Sequence, residues 1–284
     1  MIRLPTEGTP DLVSGTPRWD NIGGHSDSAY YVDYLDRASA QHEIKRYKQR
    51  SYELMGARQG AHVLDVGCGT GDDVLTLAQI VAPTGRAVGI DTSSMLIDEA
   101  RRRAGKARAP IALHVADACA LPFADCTLDA SRADRLLMHL PQPQRAIDEM
   151  CRVTKPGGRV LVREPDWGTF VVDHPDAELS QQLMQWHFHR AMPSPLIGRQ
   201  LYAALQQAGL ECTAVADTST LVLNEFGSAD RFYGFSDAAT AYAEAFPYRA
   251  DAIGHWLHEL KRLDAHGRFF CAVTGFTVVG TKRE

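Results

Sequence analysis

The chain has 284 residues, enough for one large domain with insertions or one domain with a small cap. Apolar residues make up 45% and charged residues 23%, which excludes a chain too polar to build a core. A net charge of −5 argues against a dedicated nucleic-acid binder, and no apolar run reaches the roughly 18 residues that a membrane span needs.

Residues 1 to about 26 read as a loose leader, broken by Pro and Gly and without the apolar h-region of a secretory signal. "SAYYVDYLDRASAQHEIKRYKQRSYELMG" follows as one or two amphipathic helices ending at Gly56. An alternation then begins. "HVLDVG" is strand-like, and "DDVLTLAQIV" places Val74, Leu77, Ala78 and Val81 at helical spacing. "RAVGID" is a strand, followed by a helix over "SSMLIDEARRRAG" with Ser93 as N-cap and Gly105 as stop. "IALHVAD" and "TLDASRAD" are strands, the second weaker. "PQPQRAIDEMCRVTKPGG" is a helix closed by Pro-Gly-Gly, and "RVLVRE" is the next strand. After Glu164 the rhythm breaks: an insertion with one helix, a clean helix ending at Gly209, a strand over "ECTAVADTSTLVLN", a helical, aromatic-rich insertion over 225–266, and a long closing strand. Strand–helix alternation of this kind predicts right-handed crossovers and a mainly parallel α/β sheet.

The six cysteines stand singly with no Cys-x-x-Cys, which suits reduced thiols in a cytoplasm. The pairs His187/His189 and His255/His258 lack a third ligand, so no metal site is expected. The basic runs "KRYKQR" (Lys45–Arg50) and "RRR" (Arg101–Arg103) read as solvated helix faces.

The informative stretch is "VLDVGCGTGDD", Val63 to Asp73. Ligands of an open parallel sheet bind beyond the carboxyl ends of its strands, and glycines there let a ligand approach bare backbone. A dinucleotide site carries Gly-x-Gly-x-x-Gly, with a pyrophosphate at the helix N-terminus. Here Gly67, Gly69 and Gly71 bring the third glycine one residue early, and Asp72 and Asp73 stand where the pyrophosphate would lie. Like charge there disfavours a phosphate and favours a ligand with a cationic head. Asp91 ends the second strand about twenty residues later, where an acid can take a ribose diol. Asp117 ends the third, where an acid can accept from a purine amino group. Helix capping is the competing reading for Asp72, Asp73 and Asp91. Together, acids at successive strand ends describe a nucleoside with a positively charged, amino-acid-like tail: S-adenosylmethionine (SAM).

"VLDVGCGTGDD", "GIDTS", "ADACALPFAD" and "RVTKPGGRVLV" resemble, in order, the motifs of class I SAM-dependent methyltransferases, and most of all the ubiquinone/menaquinone-biosynthesis type and small-molecule enzymes of bacterial secondary metabolism. The resemblance covers about 59–165 and, loosely, the last two strands. It implies a Rossmann-like, seven-stranded, mainly parallel sheet of order 3-2-1-4-5-7-6 with the last strand antiparallel. It also implies a leader and helical lid over 1–58, a SAM-binding domain over 59–284, and cap insertions at about 166–194 and 225–266. Asp65, Gly67 and Gly69 would hold the methionine moiety, Asp91 the ribose hydroxyls, and Thr92 and Met95 the ribose and adenine borders. Asp117 with the Ala118 backbone would read adenine, and Ala133 would face the methionine end. The fourth strand departs from the pattern with Arg132, Asp134 and Arg135, open to two readings: a polar acceptor or an internal ion pair.

Methyl transfer is an in-line displacement that needs alignment and exclusion of water, and needs a base only when the acceptor must lose a proton. Residues placed to touch the acceptor are His139 and Glu164 as candidate catalytic groups, with Asp166 and Trp167 close by. Tyr30, Tyr31, Trp167 and Trp186 are candidate acceptor contacts within an aromatic lid suited to a flat organic molecule. The expectation is therefore a cytoplasmic enzyme, monomer or homodimer, that methylates carbon, nitrogen or oxygen of a small acceptor and releases S-adenosylhomocysteine (SAH). Competing readings are an NAD-type oxidoreductase, a nucleic-acid or protein methyltransferase, and a SAM-binding protein without catalysis. Against a nucleic-acid or protein methyltransferase, neither Asn-Pro-Pro-Tyr nor Asp-Pro-Pro-Tyr occurs in the chain.

Overall fold

The computed structural model describes residues 28–107, 111–212 and 215–284, so the expected leader lies outside the described residues. In chain order it gives α1 (Ser28–Ala40), α2 (His42–Leu54), β1 (His62–Val66), α3 (Asp72–Val81), β2 (Arg86–Asp91), α4 (Ser94–Ala107), β3 (Ile111–Val115) and β4 (Leu128–Asp134). Then come α5 (Pro143–Val153), β5 (Thr154–Pro165), β6 (Val171–Val172), α6 (Ala177–Ala191), α7 (Ile197–Gln207), β7 (Leu210–Glu211) and β8 (Val215–Leu223). α8 (Phe226–Tyr233), α9 (Phe235–Ala245), α10 (Ala250–Ala265) and β9 (Cys271–Lys282) complete it.

The strands form one sheet in which β3-β2-β1-β4-β5 are parallel and β9 runs antiparallel beside β5. β8 pairs antiparallel with the other edge of β9, which completes the expected strand order. Two short strands were not anticipated: β6 and β7 each add two residues against β9.

Period-two alternation sorts the core onto the two faces of the sheet. Leu64 and Val66 of β1 join a cluster with Ile147 and Met150 of α5 and Leu201 and Leu205 of α7. Val63 joins the opposite cluster, where Val74, Leu77, Ala78 and Val81 of α3 are buried at the spacing the sequence predicts. Three boundaries differ from expectation. α5 stops at Val153, because Thr154–Gly158 is drawn into an irregular extension of β5 that pairs Leu128 with Thr154. α4 runs through Gly105 to Ala107, since a helical glycine costs only about 1 kcal/mol against alanine and does not by itself end a helix. α2 ends at Leu54, two residues before Gly56, whose φ of +76° makes the turn. Ser93 acts as foreseen: its Oγ accepts from Leu96 N at 3.3 Å.

Helices α1 and α2 lie over the carboxyl ends of the strands together with α6 and α8–α9, and the space beneath them is the cavity described next.

Candidate active site

β1 leaves the sheet through Gly67, Gly69 and Gly71, all with positive φ (+72°, +52° and +81°). A Cβ on Gly67 would stand 2.9 Å from Leu136 Cδ1, and one on Gly69 3.1 Å from Leu35 Cδ1, so only glycine leaves this backbone open under the lid. A Cβ on Gly71 would meet that of Ala100 at 2.8 Å, which brings α3 and α4 into close approach. The turn borders a cavity of about 620 Å³.

Asp91 joins the first two strand ends. Its Oδ2 accepts from Gly69 N at 3.0 Å and its Oδ1 from Ser93 N at 2.9 Å. Burial pushes its carboxyl upward against the pull of those amides. Each oxygen retains a lone pair for a hydroxyl of a ligand. Capping and ligand contact are thus both open to this one carboxylate. Asp117 Oδ1 accepts from Cys119 N at 2.8 Å and also borders the cavity.

The two acids after the glycines are not bare, which corrects the electrostatic argument made from sequence. Asp72 pairs with Arg103 at 2.9 Å. Asp73 accepts from Lys48 Nζ at 2.7 Å and from the Tyr52 hydroxyl, and Arg132 Nη1 stands 3.2 Å away. Burial opposes the Asp73 charge, yet Lys48 and Arg132 hold its carboxyl well below the usual range. Both acids are thus paired, and repulsion of a phosphate no longer follows from these two residues.

The charged residues of β4 form the internal ion pair. Arg132, fully buried, reaches Asp65 at 2.7 Å and Asp134 at 3.1 Å. Asp134 also accepts from Tyr47 of α2 at 3.3 Å. Of "KRYKQR", Lys45, Arg46 and Arg50 are exposed as expected, whereas Lys48 and Tyr47 turn inward and fasten α2 to the site.

Among the expected cofactor residues, Gly67, Gly69, Asp91, Thr92, Asp117 and Ala118 line the cavity. Three do not. Asp65 shares the face of Val63 by strand alternation, which turns its carboxylate beneath the turn to Arg132. Ala133 is fully buried in the core of the other face. Met95 packs with Tyr31, Leu96, Val32 and Leu35 in a small apolar cluster.

On the acceptor side, Tyr30, Trp167 and His139 line the cavity, joined by Tyr34, Phe188 and Tyr233. Tyr31 is 2% exposed and belongs to the cluster of Met95, because adjacent helical residues point about 100° apart and only Tyr30 faces inward. Trp186 stacks edge-on to Tyr242 with ring centres 5.1 Å apart, outside the lining. Glu164 is also corrected. It is fully buried and its Oε1 accepts from Leu136 N at 2.8 Å and Leu137 N at 2.6 Å, so it fixes the turn after β4 and does not reach the cavity. Asp166 is likewise structural: it caps the turn through Gly168 N at 2.8 Å and binds Arg199 at 2.5 Å. His139 lies in the wall, but burial, with Arg135 adding to it, lowers its imidazole to about 3. A base that weak is poorly matched to neutral pH.

Sequence reading missed Lys48 and His187 as cavity residues, and left Arg135 open between a polar acceptor and an internal ion pair. Lys48 looked like a solvated face. Arg135 owes its place to a φ of +56°, which no residue pattern signals. His187 sits in an insertion without a motif, and burial lowers it to about 4.

The residues fit SAM: open glycine backbone, and carboxylates at the ends of β2 and β3, all bordering one cavity. Comparison with known proteins agrees. A family model described as a methyltransferase domain matches residues 57–221. An uncharacterized 37.1 kDa protein in transposon TN4556 of Streptomyces fradiae is 36% identical over 248 residues, covering 87% of this chain and 70% of the relative. A demethylmenaquinone methyltransferase of Shouchella clausii is 31% identical over 162 residues, covering 57% of this chain and 66% of that enzyme. In fold, the chain is similar to phosphoethanolamine N-methyltransferase 2 of Haemonchus contortus in complex with SAM (TM-score 0.57, 16% identity, 95% of this chain and 61% of that one). The chain belongs to the methyltransferase domain family and is a SAM-dependent methyltransferase.

Proposed function

We propose that the enzyme methylates a small aromatic or otherwise apolar acceptor, at carbon, nitrogen or oxygen, in secondary or quinone-like metabolism. The observation that carries this reading is the division of one cavity. The strand-end part is polar and backbone-rich, and the lid side adds Tyr30, Tyr34, Trp167, Phe188 and Tyr233, with Asp230, Arg231 and Asp237 beside them. Such a wall stacks on a flat acceptor and excludes water. The demethylmenaquinone enzyme among the relatives is named for an acceptor of that kind.

The bound cofactor supplies a methyl group on a sulfonium, a carbon already attached to a good leaving group. The chain's task is alignment. Asp91, Thr92, Asp117 and the glycine backbone would hold the nucleoside, and the aromatic wall would hold the acceptor in line with the methyl. His139, neutral above its lowered pKa, would accept a hydrogen bond from the acceptor instead of acting as a strong base. We read 1–58 as leader and lid, 59–284 as the SAM-binding domain, and 166–194 and 225–266 as its caps. We further propose a cytoplasmic monomer or homodimer.

The test is transfer of a labelled methyl group to a panel of phenols, quinols and terpenoids, beside thermal shifts with SAH and NAD. Label in an aromatic or apolar product supports the reading. Label only in polar amines or macromolecules, or stabilisation by NAD alone, would overturn it.

A further inference from the structure

The cavity carries a cation, Arg135, that no acid among the described residues meets within hydrogen-bond distance. Arg135 follows β4 at a φ of +56°, an uncommon conformation for a residue with a side chain. Its surroundings hold it there. Its amide donates to Arg163 O at 2.9 Å, and the next two amides, of Leu136 and Leu137, both donate to the buried Glu164. Backbone strain that is fixed in this way marks sites where a side chain must be aimed.

The guanidinium lines the cavity with its side chain 16% exposed. Among the described residues it makes no side-chain hydrogen bond, and its buried Nε has no partner. The nearest carboxylate, Asp134, is 3.9 Å away and already serves Arg132 and Tyr47. Lys48, another cation in the lining, is by contrast spent on Asp73. Arg135 acts electrostatically on Tyr34 of α1 and His139, which both line the cavity, and also on Lys48 and Asp73 beside the glycine turn.

We propose that Arg135 is a specificity residue that binds a carboxylate on the methyl acceptor, so that the substrates are aromatic or apolar acids. This rests on the acceptor-side reading above. A planar guanidinium fork takes a carboxylate bidentately, and a partly buried one gains most from doing so. Asp230 and Asp237 also border the cavity, with Arg231 between them in the chain, and this acidic excess disfavours a dianion more than a monoanion. Tyr30, Tyr34 and Tyr233 then flank the apolar body.

The test uses the full chain saturated with SAH. Calorimetry compares benzoate, 4-hydroxybenzoate, cinnamate and 1-naphthoate with their amides, in wild type, Arg135→Gly and Arg135→Lys. Glycine suits the positive φ, so Arg135→Gly removes the fork while relieving strain, and it is expected to fold. At least one acid should bind wild type tenfold or more tighter than its amide. Arg135→Gly should erase that preference while SAH affinity stays within twofold, and Arg135→Lys should keep part of it. The proposal fails if no acid is preferred to its amide, or if the preference survives in Arg135→Gly. It fails also if Arg135→Gly weakens SAH tenfold, because the guanidinium then serves the cofactor's carboxylate. Absence of SAH binding in wild type would be a separate result, one that removes the methyltransferase reading itself.

Discussion

Lys48 Nζ donates to Asp73 Oδ2 at 2.7 Å and ties α2 to the first turn of the helix that follows the glycines. Both side chains are nearly buried, at 12% and 13% exposure. Removing one partner of a buried pair costs about 3–5 kcal/mol when the other is left uncompensated. Asp73 retains Arg132 and Tyr52, so Lys48→Met is expected to cost less, about 2 kcal/mol in a urea titration. Adding Asp73→Asn should recover part of the loss, giving a coupling that a double-mutant cycle reads directly. A loss in Lys48→Met below about 0.5 kcal/mol, the level of an exposed pair, would show that α2 is not fastened there.

Asp91 holds two backbone amides with the same two oxygens that are proposed for the ligand. Asp91→Ala leaves the amides of Gly69 and Ser93 without their acceptor and removes the group proposed for the ribose. SAH affinity should fall at least tenfold, about 1.4 kcal/mol. Asp91→Asn keeps one oxygen and should lose less. An unchanged dissociation constant in Asp91→Ala would reduce this residue to a helix cap.

These two sites show what a sequence discloses. The glycines, Asp91 and Asp117 were legible because strand ends and bare turns are written in short, local patterns; the mainly parallel sheet followed from alternation, and its strand order from the resemblance to class I methyltransferases. Asp65 was misplaced because its motif position is adjacent to the ligand while strand parity turns its side chain the other way. Lys48 was opaque for a different reason: a buried cation is identified only by the acid it meets, and Asp73 lies 25 positions away along the chain. Arg135 stayed undecided between a polar acceptor and an ion pair because its aim depends on a backbone angle, and the turn that sets that angle is held by Glu164 in another strand.

Glu164 predicts a pH dependence of stability. Burial raises its carboxyl from 4.5 to about 8, against the pull of the Leu136 and Leu137 amides. The folded protein therefore keeps this proton where the unfolded chain has lost it. Its contribution is fully present below pH 4.5 and declines as pH rises to about 8, where the loss is complete. Glu164→Gln mimics the protonated carboxyl, since its oxygen can still accept from both amides. Its Tm relative to wild type should climb between pH 5 and 8 and then level off. A Tm difference that is flat across this range would mean that Glu164 is ionised in the native enzyme.

His139 carries the opposite shift, and a single spectroscopic measurement separates its two possible roles. Its imidazole is lowered from 6.5 to about 3, first by burial and then by the charge of Arg135. The ring should therefore stay neutral throughout the range in which a histidine base would titrate. By linkage, it lowers stability as pH falls from 6.5 toward 3, because the unfolded chain takes up a proton that the native state refuses. In a proton NMR titration of the SAH complex, the His139 ring signals should hold constant from pH 8 to pH 5. Arg135→Gly removes the nearby positive charge and should move the midpoint upward, though burial, the larger cause, keeps it below 6.5. A wild-type midpoint near 6.5 would restore His139 as a proton acceptor at neutral pH, and an unchanged midpoint in Arg135→Gly would show that the guanidinium does not face the ring.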